Sequence, residues 1–92
     1  MISKKAKIGE NVTIGANVII GDNTIIGKNV TIQNNCEIGV HTAGGTTLPL
    51  VIGNNAFIRS QSIFYTGSTF GENLNTGHRV TIREGVKAGK NL

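Results

Sequence analysis

The sequence predicts an all-β protein, a parallel β-helix wound from six-residue repeats. Three observations carry this. Isoleucine recurs at 2, 8, 14, 20, 26, 32 and 38, always six apart. Glycine follows it at Gly9, Gly15, Gly21, Gly27 and Gly39, and asparagine stands three places after it at Asn11, Asn17, Asn23, Asn29 and Asn35. Isoleucine and valine dominate the apolar set, Trp is absent and Pro occurs once, a composition that favours strands. No amphipathic helix has period six at this density of glycine and asparagine.

Within each hexad the aliphatic residue is position one. Positions five, six and one form a short strand, as in Val12-Thr13-Ile14. Alternation sends five and one inward and six outward. Positions two to four form a corner, where Asn and Gly accept the positive φ that a sharp bend needs. Three corners close a triangular coil of about eighteen residues, and stacked coils pair strand on strand at about 4.8 Å. After a break the series resumes at Ile52, Ile58, Phe64, Phe70, Thr76, Ile82 and Ala88. The chain is therefore expected to be a single domain over residues 1–92, a triangular prism of about four to five coils.

The break is the loop insertion at 44–51, "GGTTLPLV". Gly and Pro there oppose regular pairing. A bulge at one corner and a loop reaching a neighbouring subunit or pocket are both consistent with it. If the loop takes the place of one side, three outward faces follow. One carries Lys7, Ile25, Ala43, Ile63 and Thr81, a second Thr13, Thr31, Thr69 and Lys87, and a third Ile19, Glu37, Phe57 and Asn75. The stripe Ile25–Ala43–Ile63 would then be an apolar contact surface.

Composition excludes several classes. Net charge is +4, and no aromatics alternate with the basic residues as single-strand binding requires, so no nucleic acid partner is expected. No apolar run has membrane length and no signal-peptide pattern opens the chain, so a cytoplasmic protein without a membrane partner is expected. The lone Cys36 cannot form an internal disulfide, and at an inward position five it reads as an inert core thiol.

The hexads "IGENVT", "IGANVI", "IGDNTI", "IGKNVT", "IGNNAF" and "FGENLN" resemble the signature of the hexapeptide-repeat acyltransferases. That resemblance implies a left-handed winding, an exception to the usual crossover rule. It implies a homotrimer of parallel prisms and acetyl-CoA or another acyl-CoA as co-substrate. It also implies that further coils normally follow, making 1–92 an N-terminal part of a longer domain. Non-catalytic proteins share the fold, so a structural, trimerising β-helix is the competing class.

The chemistry is sought at the two histidines. His78 stands at position three of "TGHRVT", on a corner and directed outward, where an imidazole with an ordinary pKa of about 6.5 serves as a general base. Asn75 and Thr76 interrupt the apolar pattern beside it. This slot resembles that of the catalytic histidine in UDP-N-acetylglucosamine acyltransferases and sugar-nucleotide N-acetyltransferases. There an Asp usually follows, and here Arg79 does. The resemblance implies acyl transfer to a hydroxyl or amine of a sugar or nucleotide sugar, with His78 catalytic. Asn75, Thr76, Arg79, His41 and Gln61 are the expected substrate contacts. On the face assignment above, His41 shares the edge of His78, with Arg59, Ser60 and Gln61 between, and Glu84 is a candidate to orient the imidazole. Two histidines two coils apart cannot share a metal and no carboxylate or thiolate completes a ligand set, so no metal is expected.

Overall fold

The computed structural model describes residues 1–41 and 48–90. Twelve short strands lie among them: β1 (Lys7–Ile8), β2 (Thr13–Ile14), β3 (Ile19–Ile20), β4 (Thr24–Ile26), β5 (Thr31–Ile32), β6 (Glu37–Val40), β7 (Leu50–Ile52), β8 (Phe57–Ile58), β9 (Ile63–Tyr65), β10 (Thr69–Phe70), β11 (Thr81–Ile82) and β12 (Lys87–Ala88). They form three parallel sheets, ordered β1-β4-β7-β10-β12, β3-β6-β9-β11 and β2-β5-β8. Consecutive strands enter different sheets, so the chain winds around a three-sided prism. Among the described residues no helix is long and apolar enough to cross a membrane.

Two different demands select the corner residues. At position four the backbone is left-handed, with φ of 57° to 66° at Asn11, Asn17, Asn29, Asn35, Asn55 and Asn73. Asparagine enters that region at low cost. The glycines at position two answer a different need, since most keep negative φ. A Cβ on Gly9 would lie 2.7 Å from the carbonyl carbon of Gly27 in the next coil, and one on Gly53 would lie 2.6 Å from that of Gly71. At Gly9 and Gly53 glycine is thus required by close coil stacking rather than by bend conformation, whereas Gly39 takes a φ of 80°.

The inward positions fill as the period demands. Ile20, Ile32, Ile38, Ile52, Ile58, Phe64 and Phe70 are buried along the axis. Phe64 and Phe70 meet edge to face, with ring centroids 5.6 Å apart, a favoured aromatic geometry. Cys36 is fully buried and its thiol is 3.3 Å from the carbonyl oxygen of Arg59. Two inward serines cap backbone groups: Ser62 Oγ donates to Arg59 O at 2.9 Å and Ser68 Oγ to Arg83 O at 2.6 Å, whereas the buried Thr24 hydroxyl has no partner among the described residues. The pairing of the serines offsets the cost of burying a hydroxyl.

The register overturns the predicted faces beyond the break. β7 pairs directly with β4, placing Val51 beside Ile25, so the segment between β6 and β7 takes the place of no side. Every later strand therefore sits one face away from the expectation. The outward residues are Lys7, Ile25, Val51, Thr69 and Lys87 on the first face. Thr13, Thr31, Phe57 and Asn75 share the second, and Ile19, Glu37, Ile63 and Thr81 the third. Ile25 and Ile63 lie in different sheets, so the predicted Ile25–Ala43–Ile63 stripe does not form. Ala43 and residues 44–47 of the predicted loop lie outside the described residues, while Leu50 and Val51 belong to β7.

Candidate active site

One corner of the prism collects the polar departures from the repeat. It joins the Thr13–Asn75 face to the Ile19–Thr81 face, and its position-three residues, Ala16, Asn34, Ser60 and His78, stack one per coil. Backbone bonds fix that stack: Asn35 N donates to Ala16 O at 2.9 Å, Gln61 N to Asn34 O at 3.1 Å and Arg79 N to Ser60 O at 3.0 Å. Each side chain therefore lies a strand spacing from the next, near enough to hydrogen-bond.

His78 is exposed and anchored through one nitrogen. Its Nδ1 lies 2.8 Å from Ser60 Oγ, leaving Nε2 with no partner among the described residues. Ser60 is itself held from the coil below, its N–H donating to Gln33 Oε1 at 3.2 Å. Asn34 turns the opposite way, accepting from Ala16 N at 2.8 Å, and so leaves the Ser60 hydroxyl to His78.

Gln61 and Arg79 flank the pair at position four. Their φ values are 62° and 59°, a region costly for residues other than Gly and Asn. Arg79 Nε donates to Gln61 Oε1 at 2.6 Å. Arg79→Asn is expected to stabilise the fold by about 1 kcal/mol by relieving that conformation; thermal denaturation of the two proteins checks it, and a lower midpoint for the variant refutes it.

Asn75 and Thr76 serve Arg59. The Arg59 guanidinium bonds Asn75 Oδ1 and, at 2.8 Å, the Thr76 carbonyl, and lies 4.7 Å from the centroid of the Phe57 ring. Thr76 is buried, and its hydroxyl accepts from Arg59 N at 3.2 Å. Thr76 thus ties two coils together rather than facing a substrate, because position one points inward even when its occupant is polar.

Two expectations are corrected. His41 does not share this corner. It follows β6, at the join of the Ile19–Thr81 and Lys7–Lys87 faces, and lines a separate groove of about 510 Å³ with Asp22, Glu37 and Val40. The one-face rotation after the break separates the two histidines. Glu84 does not orient His78 either. It lies on the corner between β11 and β12, where its carboxyl is held below the usual range by a backbone hydrogen bond and by Arg83 Nε at 3.1 Å. Arg83 in turn lies 4.3 Å from the Tyr65 ring centroid.

Beside the Ser60–His78 pair an open groove of about 450 Å³ runs down the corner, lined by Thr13, Gly15, Thr31, Ile32, Gln33, Asn34 and Ser60. No charged side chain lines it. Hydroxyls and amides over a β-ladder suit an uncharged, hydroxyl-rich molecule. Among the described residues no three His, Cys, Asp or Glu side chains gather as a metal site would need. The sequence named Ser60 only as a corner residue and passed over Gln33. Counting one coil, eighteen residues, back from His78 reaches Ser60 directly.

Residues 5–40 match the family model of the bacterial transferase hexapeptide (six repeats). No curated protein matches the chain. The match ends before Ser60 and His78, while the same hexads and sheets continue to Ala88. Over residues 5–40 the chain is similar to the bacterial hexapeptide transferases, and its fold is their left-handed parallel β-helix.

Proposed function

We propose that the protein is an acyltransferase that moves an acyl group, acetyl in the simplest case, from a coenzyme A thioester to a hydroxyl or amine of a sugar or nucleotide sugar. The observation that carries the proposal is the exposed imidazole of His78, anchored at Nδ1 beside an uncharged groove of hydroxyls and amides. In the proposed step the acceptor group gives its proton to His78 Nε2 as its oxygen or nitrogen bonds to the acyl carbon. The carbon–sulfur bond breaks, and the thiolate recovers the proton from the imidazolium. Corner N–H groups stabilise the negative charge that develops on the acyl oxygen. Arg79, with Gln61 fixing its Nε, adds positive charge for a phosphate of either substrate. Function as a homotrimer belongs to the same proposal.

The test is thiol release from acetyl-CoA with a panel of amino and hydroxyl sugars, free and nucleotide-linked. Acceptor-dependent release supports the reading. Absence of both release and CoA binding at millimolar donor refutes it in favour of a structural β-helix.

A further inference from the structure

We infer that Ser60 is a positioning residue for His78, fixing the imidazole as the Nδ1–H tautomer so that its basic nitrogen is Nε2. The inference rests on the proposed function for its consequence, though not for its geometry. Ser60 touches His78 Nδ1 at 2.8 Å, lines the groove, and is bonded through its N–H to Gln33 at 3.2 Å. It is the side chain that joins the groove to the imidazole.

A histidine base works through one nitrogen, and the partner of the other decides which. Ser60 Oγ is the partner of Nδ1, while the amides of this corner are engaged elsewhere: Asn34 with Ala16, Gln61 with Arg79, and Gln33 with the Ser60 backbone. No carboxylate stands on this corner, whose other position-three groups are Ala16 and Asn34. A basic Nε2 requires the proton on Nδ1, and Ser60 Oγ at 2.8 Å is placed to accept it. Because a hydroxyl is neutral, it accepts from Nδ1–H equally when Nε2 is free and when Nε2 has taken the acceptor's proton. The ring keeps its orientation through the proton transfer, without a carboxylate to hold it. The opposite tautomer would have Ser60 donate to Nδ1, leaving Nε2 protonated and unable to take a proton.

Two measurements test this on the full chain. The first needs no substrate. The chain has two histidines, so ¹⁵N-labelled imidazole resonances are assigned with a His41→Gln variant. In the neutral ring Nδ1 is expected to carry the proton in the parent protein, and Ser60→Ala is expected to shift the ring toward Nε2–H. An Nε2–H tautomer in the parent, or no change in Ser60→Ala, overturns the inference. The second is kinetic. Ser60→Ala is expected to lower kcat roughly tenfold with KM nearly unchanged, a fraction of the roughly 10²–10⁴-fold that a general base supplies. Ser60→Thr, which keeps the hydroxyl, is expected to recover most of it. A loss in KM alone, or Ser60→Thr as slow as Ser60→Ala, also overturns it. An Nδ1–H tautomer that depends on Ser60, in a protein without transferase activity, would leave the pairing standing and refute the acyl-transfer reading instead.

Discussion

Replacing His78 with glutamine is expected to slow acceptor-dependent thiol release by about 10²–10⁴-fold, the range a positioned general base contributes. Glutamine keeps the size and polarity of the side chain and removes the basic nitrogen. The loss should fall on kcat, because the proton transfer belongs to the transition state and not to substrate binding. Stability should hardly change, since His78 is exposed and its side-chain bond to Ser60 lies at the surface. Initial rates over a range of donor and acceptor concentrations, with a melting curve for each protein, check these points together. A variant that folds like the parent and transfers at the parent's rate would end the catalytic reading of this corner.

The fold was legible because β-helix geometry writes itself at fixed spacing. A side chain at position one of every hexad has nowhere to go but inward, so Ile20, Ile32 and Ile38 are buried as the period requires. Asn29 and Asn55 bend at positive φ because asparagine enters that region cheaply. The break could not be read the same way. The separation of fourteen from Ile38 to Ile52 satisfies either one hexad with an eight-residue insertion or two hexads with two extra residues, and hydrophobic spacing does not distinguish them. Only the pairing of Val51 with Ile25 decides it. That single ambiguity put His41 on the wrong corner and paired Ile25 with Ile63. The candidate site was legible where it depended on one residue's slot, as with His78 at an outward corner. It was obscured where it depended on which residues stack across coils. Ser60 and Gln33 are ordinary polar residues in sequence, and only the coil beneath His78 gives them a role.

The corner is held in place by the core behind it, and Phe64→Ala is expected to be the most damaging substitution for stability, by about 3–5 kcal/mol. Phe64 is fully buried at position one of β9, between Ile38 of β6 and Ile82 of β11. It also meets Phe70 edge to face. In a globular core, neighbours shift to fill part of a cavity. Here parallel backbone ladders fix the coil spacing, so the side chains above and below cannot collapse into the space. The cost should therefore approach the upper end of the range for a truncated phenylalanine. For a domain stable by about 5–15 kcal/mol, that removes a large fraction of the total. Ile82→Ala, at a half-buried position on the same ladder, should cost less than half as much, because part of its side chain already meets water. Urea denaturation of the two variants at matched protein concentration separates them. The β9 strand lies just beyond the corner that carries Ser60, so Phe64→Ala should also broaden the His78 imidazole resonances before global unfolding. A loss below about 1 kcal/mol would mean that the coils do relax around the cavity, and that the ladder is not the rigid frame on which the Ser60–His78 alignment depends.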